Sequence, residues 1–503
     1  MKRLIILFFA GMLAVPAISY AGSATSRWDL SIGGMVKVDY MYANQSLNQD
    51  VTEAERQASG LNSSSRDRYG ATSWGIGESR LNFLIKGPDT WGARTSAFIE
   101  GDFRFDTSNS VSGPVRNNVE DYGLFALRHA FMKFEWPTFT VIAGQTWTVP
   151  GVLPCFCLLG VNENGAANKG ALAPQLTGIW QATKTFSITG GIQAPYSLNS
   201  WPGGSQATGT TIDDGFQRSN LPLFFSEILY KTDACGKIGA WMLQFGLGGL
   251  WGREKPITPY TLGPYGDING QASYSNTAFS GTGPGNSVQY WNVNGYDSSN
   301  VDEWMVTFKS FIPIIPEKAP GKLAHTLGLA VSAFTGQDIR QFAGGPPLKM
   351  MAYAYDRTAY QYPATAAGYA AYSNQLNPRA DYVAPVATGG WAQLQWYWTN
   401  TLWSGFYYSQ TKYNVSDARK AVTYGAGPTL AAAAAPATER LEEYHVNLIY
   451  DPNPAIRLGL EYSRYNTHYA RQMYNIVTVN GYPSGLSSNG NVDTVRVSAT
   501  YFF

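Results

Sequence analysis

Apolar and polar side chains alternate along much of this chain, and the alternation is clearest at its end. In residues 492–503 the odd-numbered positions from Val495 to Phe503 are apolar, and the even-numbered positions from Thr494 to Thr500 are polar. This period of two predicts a strand with one apolar and one polar face. A membrane β-barrel needs a last strand that pairs with the first, because lipid does not tolerate an unpaired strand edge. Residues 492–503 are therefore predicted to close such a barrel.

Two early segments indicate that the polar face meets water. Residues 28–42 alternate in the same way, with Lys37 and Asp39 on the polar face. Residues 93–105 place four charged side chains on one face, namely Arg94, Glu100, Asp102 and Arg104. Burying four charges in a dry core would be very costly. We therefore expect lipid outside the barrel and water in its lumen.

Further segments bring the predicted number of strands to sixteen, an even number as a closed antiparallel barrel requires. These segments are residues 78–87, 122–136, 139–147, 173–182, 185–195, 223–232, 238–252, 302–312, 323–335, 389–399, 402–413, 441–451 and 455–465. Within 122–136 we place Arg128 inward. Phe125, Leu127 and Phe131 then point outward, which leaves His129 and Lys133 facing lipid or a partner subunit.

The connections between these strands alternate between short and long. The short ones fall near residues 87–92, 137, 183–184, 233–237, 313–322, 400–401 and 452–454. The long ones fall near residues 43–73, 106–121, 148–172, 196–222, 253–301, 336–388, 414–440 and 466–491. Tight periplasmic turns and long extracellular loops produce this alternation. The predicted fold is all-β, a 16-stranded antiparallel transmembrane β-barrel.

The N-terminus has the pattern of an export signal. Lys2 and Arg3 precede an apolar run, and Ser19-Tyr20-Ala21 offers the small residues that a signal peptidase reads. The run is short for a spanning helix and is followed directly by strand pattern, which disfavours a membrane anchor. We expect residues 1–21 to be a cleaved signal peptide and residues 22–503 to be a single outer-membrane β-barrel domain.

Composition supports a barrel and excludes other classes. Charged residues are only 14% of the chain and aromatic residues are also 14%, with 15 Trp and 32 Tyr. Few charges with many Trp and Tyr suit interfacial aromatic girdles. Beyond the signal no apolar run approaches the roughly 18 residues of a membrane helix, so a helical membrane protein is excluded. A net charge of +1 argues against bulk attraction to nucleic acid.

The sequence indicates no cofactor. Its three cysteines are Cys155, Cys157 and Cys235; the first two could form a metal or redox pair, but two small apolar loop residues are the favoured interpretation because no His is near. It contains no haem attachment motif and no Gly-rich phosphate loop between a strand and a helix. The four histidines, which include His129 and His445, are not spaced as a metal pair.

Short motifs between residues 79 and 147 resemble those of trimeric outer-membrane porins. They are Ser79-Arg80-Leu81-Asn82-Phe83, Phe98-Ile99-Glu100-Gly101-Asp102-Phe103, Leu127-Arg128-His129-Ala130-Phe131 and Ala143-Gly144-Gln145-Thr146-Trp147. The terminal Phe503 also matches these Gram-negative barrels. The motifs are most similar to those of the dicarboxylate-type branch, the DcaP-like porins, to which Ala173-Pro174-Gln175-Leu176 conforms as well.

The resemblance implies a homotrimer of 16-stranded barrels in which a constriction loop, residues 148–172, folds into the lumen. Porins of this family usually set acidic residues on that loop against a basic ladder on the wall. Here the wall candidates are Arg80, Arg94, Arg104 and Arg128. The loop departs from the family pattern, since Glu163 and Lys169 are its charged residues between 149 and 170.

These observations predict a porin through which small hydrophilic solutes diffuse passively, with a mild preference for anions such as small carboxylates. The expected pore-lining and constriction residues are Arg80, Arg94, Glu100, Asp102, Arg104, Arg128, Glu163, Lys169, Arg457, Glu461 and Arg496. An equally weighted alternative is that these arginines and carboxylates pair across neighbouring strands and stabilise the wall.

Two other functions remain open at this stage. The barrel could be a sleeve that holds an electron-transfer or other partner protein across the outer membrane, a role that a lumen-narrowing loop disfavours. It could also be an outer-membrane hydrolase using His445 beside Glu443, although polar filling of the wall is the favoured interpretation of that pair. Self-association, outer-membrane lipid and small solutes are the expected partners, and nucleic acid is not.

Overall fold

The computed structural model describes residues 28–44, 70–105, 124–148, 172–194, 221–254, 261–262, 291–292, 301–337, 339, 352–354, 381–383, 386–414, 438–469, 477–479, 482–484 and 489–503. The predicted signal peptide lies outside these ranges, and so does the predicted constriction loop apart from Thr148 and Leu172. Among the described residues, no helix is long and apolar enough to cross a membrane.

The described residues form one closed antiparallel sheet of sixteen strands. The first is β1 (Asp29–Ala43), and the second is interrupted, consisting of β2a (Ala71–Gly75) and β2b (Arg80–Lys86), which both pair with β1. The others are β3 (Arg94–Phe105), β4 (Leu124–Glu135), β5 (Phe139–Trp147), β6 (Leu172–Gln181), β7 (Phe186–Gln193), β8 (Leu223–Ile238), β9 (Trp241–Glu254), β10 (Val301–Ile315), β11 (Leu327–Gln337), β12 (Val386–Tyr397), β13 (Leu402–Asn414), β14 (Thr438–Asn453), β15 (Ile456–Tyr469) and β16 (Asn489–Phe502). The predicted fold class and number of strands are confirmed.

The barrel closes between its first and last strands. Strand β16 pairs antiparallel with β15 on one side and with β1 on the other. Tyr501 lies opposite Val36 in the β1 register. The pairing extends past the end of β16, because Gly34 and Phe503 exchange backbone hydrogen bonds of 3.0 and 3.2 Å. The predicted pairing of the C-terminal strand with the first strand is therefore confirmed.

The two faces of the sheet differ in polarity. On β1 the outward side chains of Leu30, Ile32 and Val36 are more than half exposed, whereas the inward Lys37 and Asp39 are buried. Later strands repeat this pattern with exposed apolar side chains on the outside, including Leu247, Val306, Phe406, Leu448, Leu460 and Val497. A closed outer surface of this kind belongs in lipid, and the polar face lines a lumen.

One predicted hairpin turn is wrong. The sequence places the turn between the eighth and ninth strands at residues 233–237, but β8 continues to Ile238 and the turn is at residues 239–240. Pairing with β9 steps from Thr232 opposite Leu243 to Lys237 opposite Met242, so residues 233–236 bulge out of the ladder. Asp and Gly favour turns, but here Asp233 and Gly236 lie in a bulge within the strand.

Short two-stranded ladders occur within three of the long connections. They join Thr261–Leu262 to Trp291–Asn292, Ala352–Ala354 to Asp381–Val383, and Val477–Val479 to Tyr482–Ser484. All three lie at the end of the barrel opposite the short turns, because they follow strands β9, β11 and β15.

We expect Gly34→Ala to destabilise the barrel at its closure. A Cβ atom at Gly34 would lie 2.2 Å from the carbonyl oxygen of Arg80 and 2.9 Å from the ring of Phe503. Overpacking of this kind costs about 2 kcal/mol, which urea unfolding of the refolded protein in vesicles would measure by tryptophan fluorescence. The control is Gly33→Ala, whose Cβ atom would be 3.1 Å from a side-chain oxygen of Asn82. Equal losses in the two variants would contradict the expectation.

Candidate functional site

A group of charged side chains projects from strands β2b, β3 and β4 into the lumen. We call it the Arg128 cluster, and its members are Arg80, Glu100, Asp102, Arg128 and His129. A β-bulge creates it, because Glu100 pairs with His129 whereas the next residue of β3, Gly101, pairs with Leu127. Arg128 is thus an extra residue in β4, and such a bulge re-aims a side chain without ending the strand.

Arg128 holds the two carboxylates of the cluster. Its Nη1 donates a 2.7 Å hydrogen bond to Oδ2 of Asp102, and its Nε donates a 3.2 Å hydrogen bond to Oε1 of Glu100. Nη1 of Arg80 lies 3.8 Å from the same oxygen of Glu100, and all four side chains are at most 16% exposed. The contacts of Arg80 and Arg128, two of the four predicted ladder arginines, match the alternative in which charges pair across strands.

Two residues of β5 make the bulge possible. Gly144 has a φ of +134°, and a Cβ atom there would lie 2.3 Å from the carbonyl oxygen of Ala130, so glycine is required. Gln145 donates through Nε2 to the carbonyl oxygens of Leu127 and Arg128 at 3.3 and 3.0 Å. These hydrogen bonds satisfy backbone oxygens at the position where the bulge disrupts the ladder.

The next two residues of β5 contact the inner side of the bulge. Oγ1 of Thr146 lies 3.1 Å from Nδ1 of His129, whose Nε2 is 4.0 Å from Glu100. The guanidinium carbon of Arg128 lies 5.7 Å from the ring centroid of Trp147, within the range of a cation–π contact. The motif over residues 143–147 therefore supports the geometry of Arg128 and His129.

The bulge also corrects the predicted orientation of β4. The prediction that Phe131 faces outward and that His129 and Lys133 face lipid or a partner subunit is wrong, because an extra residue reverses the alternation that follows it. Phe131 lies opposite Phe98 on the inner face, with ring centroids 5.6 Å apart. Met132 points outward instead and is 54% exposed.

A second cluster ties β1 to the interruption in the second strand. We call it the Lys37 cluster, comprising Lys37, Asp39 and Glu78. Nζ of Lys37 donates to Oδ2 of Asp39 at 2.5 Å and to Oε2 of Glu78 at 2.6 Å, and all three residues are buried. The backbone nitrogen of Lys37 donates to Oγ of Ser79 at 3.0 Å. The sequence assigned Lys37 and Asp39 to the polar face, but it did not show the interruption that brings Glu78 to Lys37.

A third cluster lies on the inner face of β14 and β15. This His445 cluster comprises Glu443, His445, Glu461 and Ser463. Nε2 of His445 is 3.6 Å from Glu443, its Nδ1 is 3.7 Å from Glu461, and Oγ of Ser463 is 2.7 Å from Nδ1. The histidine and both glutamates are at most 2% exposed. Burial on this scale fits polar packing of the wall better than an acid–base site, which must reach its substrate.

Two further predicted pore residues also have contacts on this wall. Arg457, near the short turns, donates to both carboxylate oxygens of Asp451 at 2.8 and 2.9 Å. Arg496 is 5% exposed and lies opposite Glu461 on one side and Met41 on the other. Its Nη2 is 3.9 Å from the sulfur of Met41.

The other predicted residues lie apart from these clusters. Arg94 is exposed at the short-turn end of β3, opposite Glu135 of β4. Arg104 belongs to β3 by its backbone. Glu163 and Lys169, on the predicted constriction loop, lie outside the described residues. The structure therefore brings Arg80, Glu100, Asp102 and Arg128 together, and it places Glu461 and Arg496 across one strand pair.

Sequence reasoning missed two buried carboxylates on the inner face. Oε1 of Glu227 on β8 accepts from Nζ of Lys309 on β10 at 2.8 Å, and Glu303 on β10 is fully buried. The signal that could have found Glu227 is the alternation around it, since Phe224 and Ile228 are exposed outward residues of the same strand. Within the described ranges, no three His, Cys, Asp or Glu side chains are grouped to hold a metal ion.

We expect Arg128→Gln to destabilise the barrel by about 3 kcal/mol, because it removes the cation that hydrogen-bonds to both poorly solvated carboxylates. Urea unfolding in vesicles would measure the loss. The matched control is the triple variant Arg128→Gln/Glu100→Gln/Asp102→Asn, which removes the carboxylate charges as well and should recover most of the stability. A single variant no less stable than the triple variant would show that the pairing does not stabilise the wall.

The sequence and the whole barrel were compared with known proteins. No model of a known protein family matches the sequence, and no curated protein matches it either. Among solved structures, the outer membrane channel DcaP of Acinetobacter baumannii is similar, with 13% identity, a TM-score of 0.59 and coverage of 95% of this chain and 97% of that chain. The anion-selective porin from Comamonas acidovorans is similar at 9% identity and a TM-score of 0.48, covering 95% and 100% of the two chains. The resemblance that the motifs indicate is confirmed at the level of the fold: the chain has the fold of the Gram-negative outer-membrane porins.

Proposed function

We propose that this protein is a non-enzymatic outer-membrane channel through which small hydrophilic solutes diffuse passively. The observation that carries the proposal is a closed barrel with an apolar outer face and charged side chains from eight or more strands on its inner face. Charges on the inner face give a polar pathway across the hydrocarbon layer. The long connections face the cell exterior, since short turns are typical of the periplasmic side.

We further propose that a mild anion preference arises near the short turns rather than at the Arg128 cluster. In that cluster two arginines face two carboxylates, so its charges balance. Near the short turns the inner face carries three cations, Lys86, Arg94 and Lys133. It also carries two carboxylates: Glu135, which accepts a hydrogen bond from Lys133 at 2.6 Å, and Asp29, which lies opposite Lys86 on the neighbouring strand. Arg94 has no ion pair within the described residues, so its charge is available to a passing anion.

We also propose that the barrel forms a homotrimer through its shorter strands. Strands β5 and β7 have nine and eight residues, whereas β8 and β14 have sixteen each. At about 3.4 Å per residue and a tilt near 40°, the short strands span about 20–23 Å, which is less than the apolar band of about 25 Å. A neighbouring copy would cover the outer surface on this side, where Met132 is exposed.

The channel proposal can be tested by conductance measurements in planar bilayers. The purified full-length protein should produce stepwise increases in KCl conductance that occur in groups of three if the trimer forms. Absence of open-channel conductance in correctly folded protein would contradict the proposal. A lumen occupied by a co-purifying protein would instead favour the sleeve.

We expect Arg94→Gln to weaken the anion preference, because it removes a cation from the lumen without leaving a paired carboxylate. Reversal potentials in a KCl gradient should show the chloride-to-potassium permeability ratio falling by less than about twofold, since one charge among several is lost. The control is Arg253→Gln, because Arg253 pairs with Asp302 on the outer face. An unchanged ratio in Arg94→Gln would reject this location for the selectivity.

The trimer can be tested with charges on the outer face. Met132→Asp, on the short-strand side, should reduce the trimeric fraction observed by native mass spectrometry. Leu247→Asp places the same charge on β9, where Leu247 is 58% exposed, and should leave the assembly mass unchanged. A monomeric wild-type protein, or equal dissociation in both variants, would contradict the proposed interface.

A further inference from the structure

A polar surface interrupts the outer face of the barrel on strands β13 to β16. We call it the outer polar patch, and its members are Lys412, Arg440, Glu442, Arg464, His468 and Asp493. The side chains point outward because they alternate with buried inward neighbours, such as Thr411, Leu441 and Thr467. Cross-strand pairing makes the patch continuous, since Lys412 lies opposite Arg440, Arg440 opposite His468, and Arg464 opposite Asp493.

The patch lies at the long-loop end, above the apolar band. Directly below it on the outer face come Tyr408, Tyr444 and Tyr462, and below these come apolar side chains such as Val446 and Leu460. Tyr side chains mark the level where hydrocarbon meets headgroups. The outer polar patch is therefore at the height of the lipid headgroups in the leaflet that faces the long loops.

Arg440 is held by its neighbours on one side. Its Nε lies 3.2 Å from Oε1 of Glu442, and its Nη2 donates a 2.8 Å hydrogen bond to Nε2 of His468. Nδ1 of that histidine donates to Oδ1 of Asn489 at 2.7 Å, which fixes the tautomer in which Nε2 accepts. Within the described residues, Nη1 of Arg440 has no protein partner, so its N–H groups remain for a ligand.

Arg464 is held in a comparable way. Its Nε donates to Oδ1 of Asn466 at 3.2 Å, and its Nη1 donates to Oδ1 of Asp493 at 3.3 Å. Asp493 itself accepts from the hydroxyl of Tyr462 at 2.6 Å and from Nδ2 of Asn44 at 2.9 Å. The Arg464 side chain also interacts with the hydroxyl of Tyr462. Both guanidinium groups are thus positioned before any ligand arrives, which reduces the entropy cost of binding.

Charge and exposure identify the kind of ligand. Three cations, Lys412, Arg440 and Arg464, face two carboxylates in the patch, Glu442 and Asp493, so these five side chains carry one net positive charge. The arginine side chains are 40% and 42% exposed, and Lys412 is exposed as well. Exposed guanidinium groups match phosphate oxygens. At headgroup level the phosphates are those of membrane lipids.

The outer face of strands β9 and β10 is different. There the described ion pair at the long-loop end is Arg253 with Asp302 at 2.7 Å, next to the ring of Trp251. This single neutral pair offers no group of cations, so it provides an internal comparison for the patch.

We propose that the outer polar patch binds the phosphorylated headgroup of an outer-leaflet lipid, with Lys412, Arg440 and Arg464 contacting phosphate. This inference rests on the proposed outer-membrane orientation, which sets the long loops at the outer leaflet. The acyl chains of the bound lipid lie against the tyrosines and the apolar band below. The barrel would thus bind one class of lipid specifically at this patch, whereas the rest of its outer face contacts lipid without such specificity.

The test uses the full-length protein in detergent, titrated with bisphosphorylated lipid A and followed by native mass spectrometry. The wild type should retain lipid A. Lys412→Gln/Arg440→Gln/Arg464→Gln should weaken its affinity at least about tenfold, since each basic residue near a charged lipid surface contributes to binding. Arg253→Gln should bind like the wild type, and dephosphorylated lipid A should bind weakly to all three proteins.

Several results would overturn the proposal. They are failure of the wild type to retain lipid A, equal loss in Arg253→Gln, and dissociation of the protein assembly in the triple variant, which would make the patch a contact between copies. Conductance measurements in planar bilayers formed without lipid A distinguish failure of the lipid-site proposal from failure of the channel proposal. If the wild type and the triple variant conduct equally there but do not differ in lipid A binding, the channel stands and the lipid site does not.

Discussion

Pairing of every backbone N–H and C=O group is the constraint on which this structure depends. In a bilayer an unpaired strand edge has no water to bind, so a sheet can cross only when it closes on itself. Here β16 closes on β1, and the last residue, Phe503, still exchanges hydrogen bonds with Gly34. Closure leaves two surfaces only, and the alternation along each strand sends apolar side chains to lipid and polar ones to the lumen.

The inner surface is organised by a second requirement, that charges with little exposure need partners. The Arg128 and His445 clusters each join residues from at least two strands, and the Lys37 cluster joins β1 to Glu78 in the break between β2a and β2b. In each cluster a cation or a histidine lies between carboxylates. Such pairing stabilises the wall while cancelling much of its field. A lumen can therefore be rich in charge and still have only a mild ion preference, which then depends on less paired groups such as Arg94.

Irregularities in the strand pairing position the charged side chains of the Arg128 and Lys37 clusters. The bulge at Arg128 lets adjacent residues face the lumen together, and Gly144 and Gln145 of β5 accommodate its backbone. The break between β2a and β2b likewise delivers Glu78 to Lys37. Between Arg440 and Tyr450 the pairing of β14 with β15 is regular, and there the layering from apolar band to tyrosines to the outer polar patch follows from position along the strand.

The sequence by itself determined the number of strands, the closure by the last strand and the face of most residues, because a period of two is a local property of the chain. It also determined that Glu100, Asp102 and Arg128 share the lumen face. It could not determine the orientation of Phe131, because the one extra residue at Arg128 reverses the later side chains of the strand and leaves no mark in the composition. It also could not place the turn after β8, because the bulge at residues 233–236 contains residue types that favour turns. Only the tertiary structure decided which charges meet, since contact between strands depends on register, and register is fixed by pairing between segments that are distant in sequence.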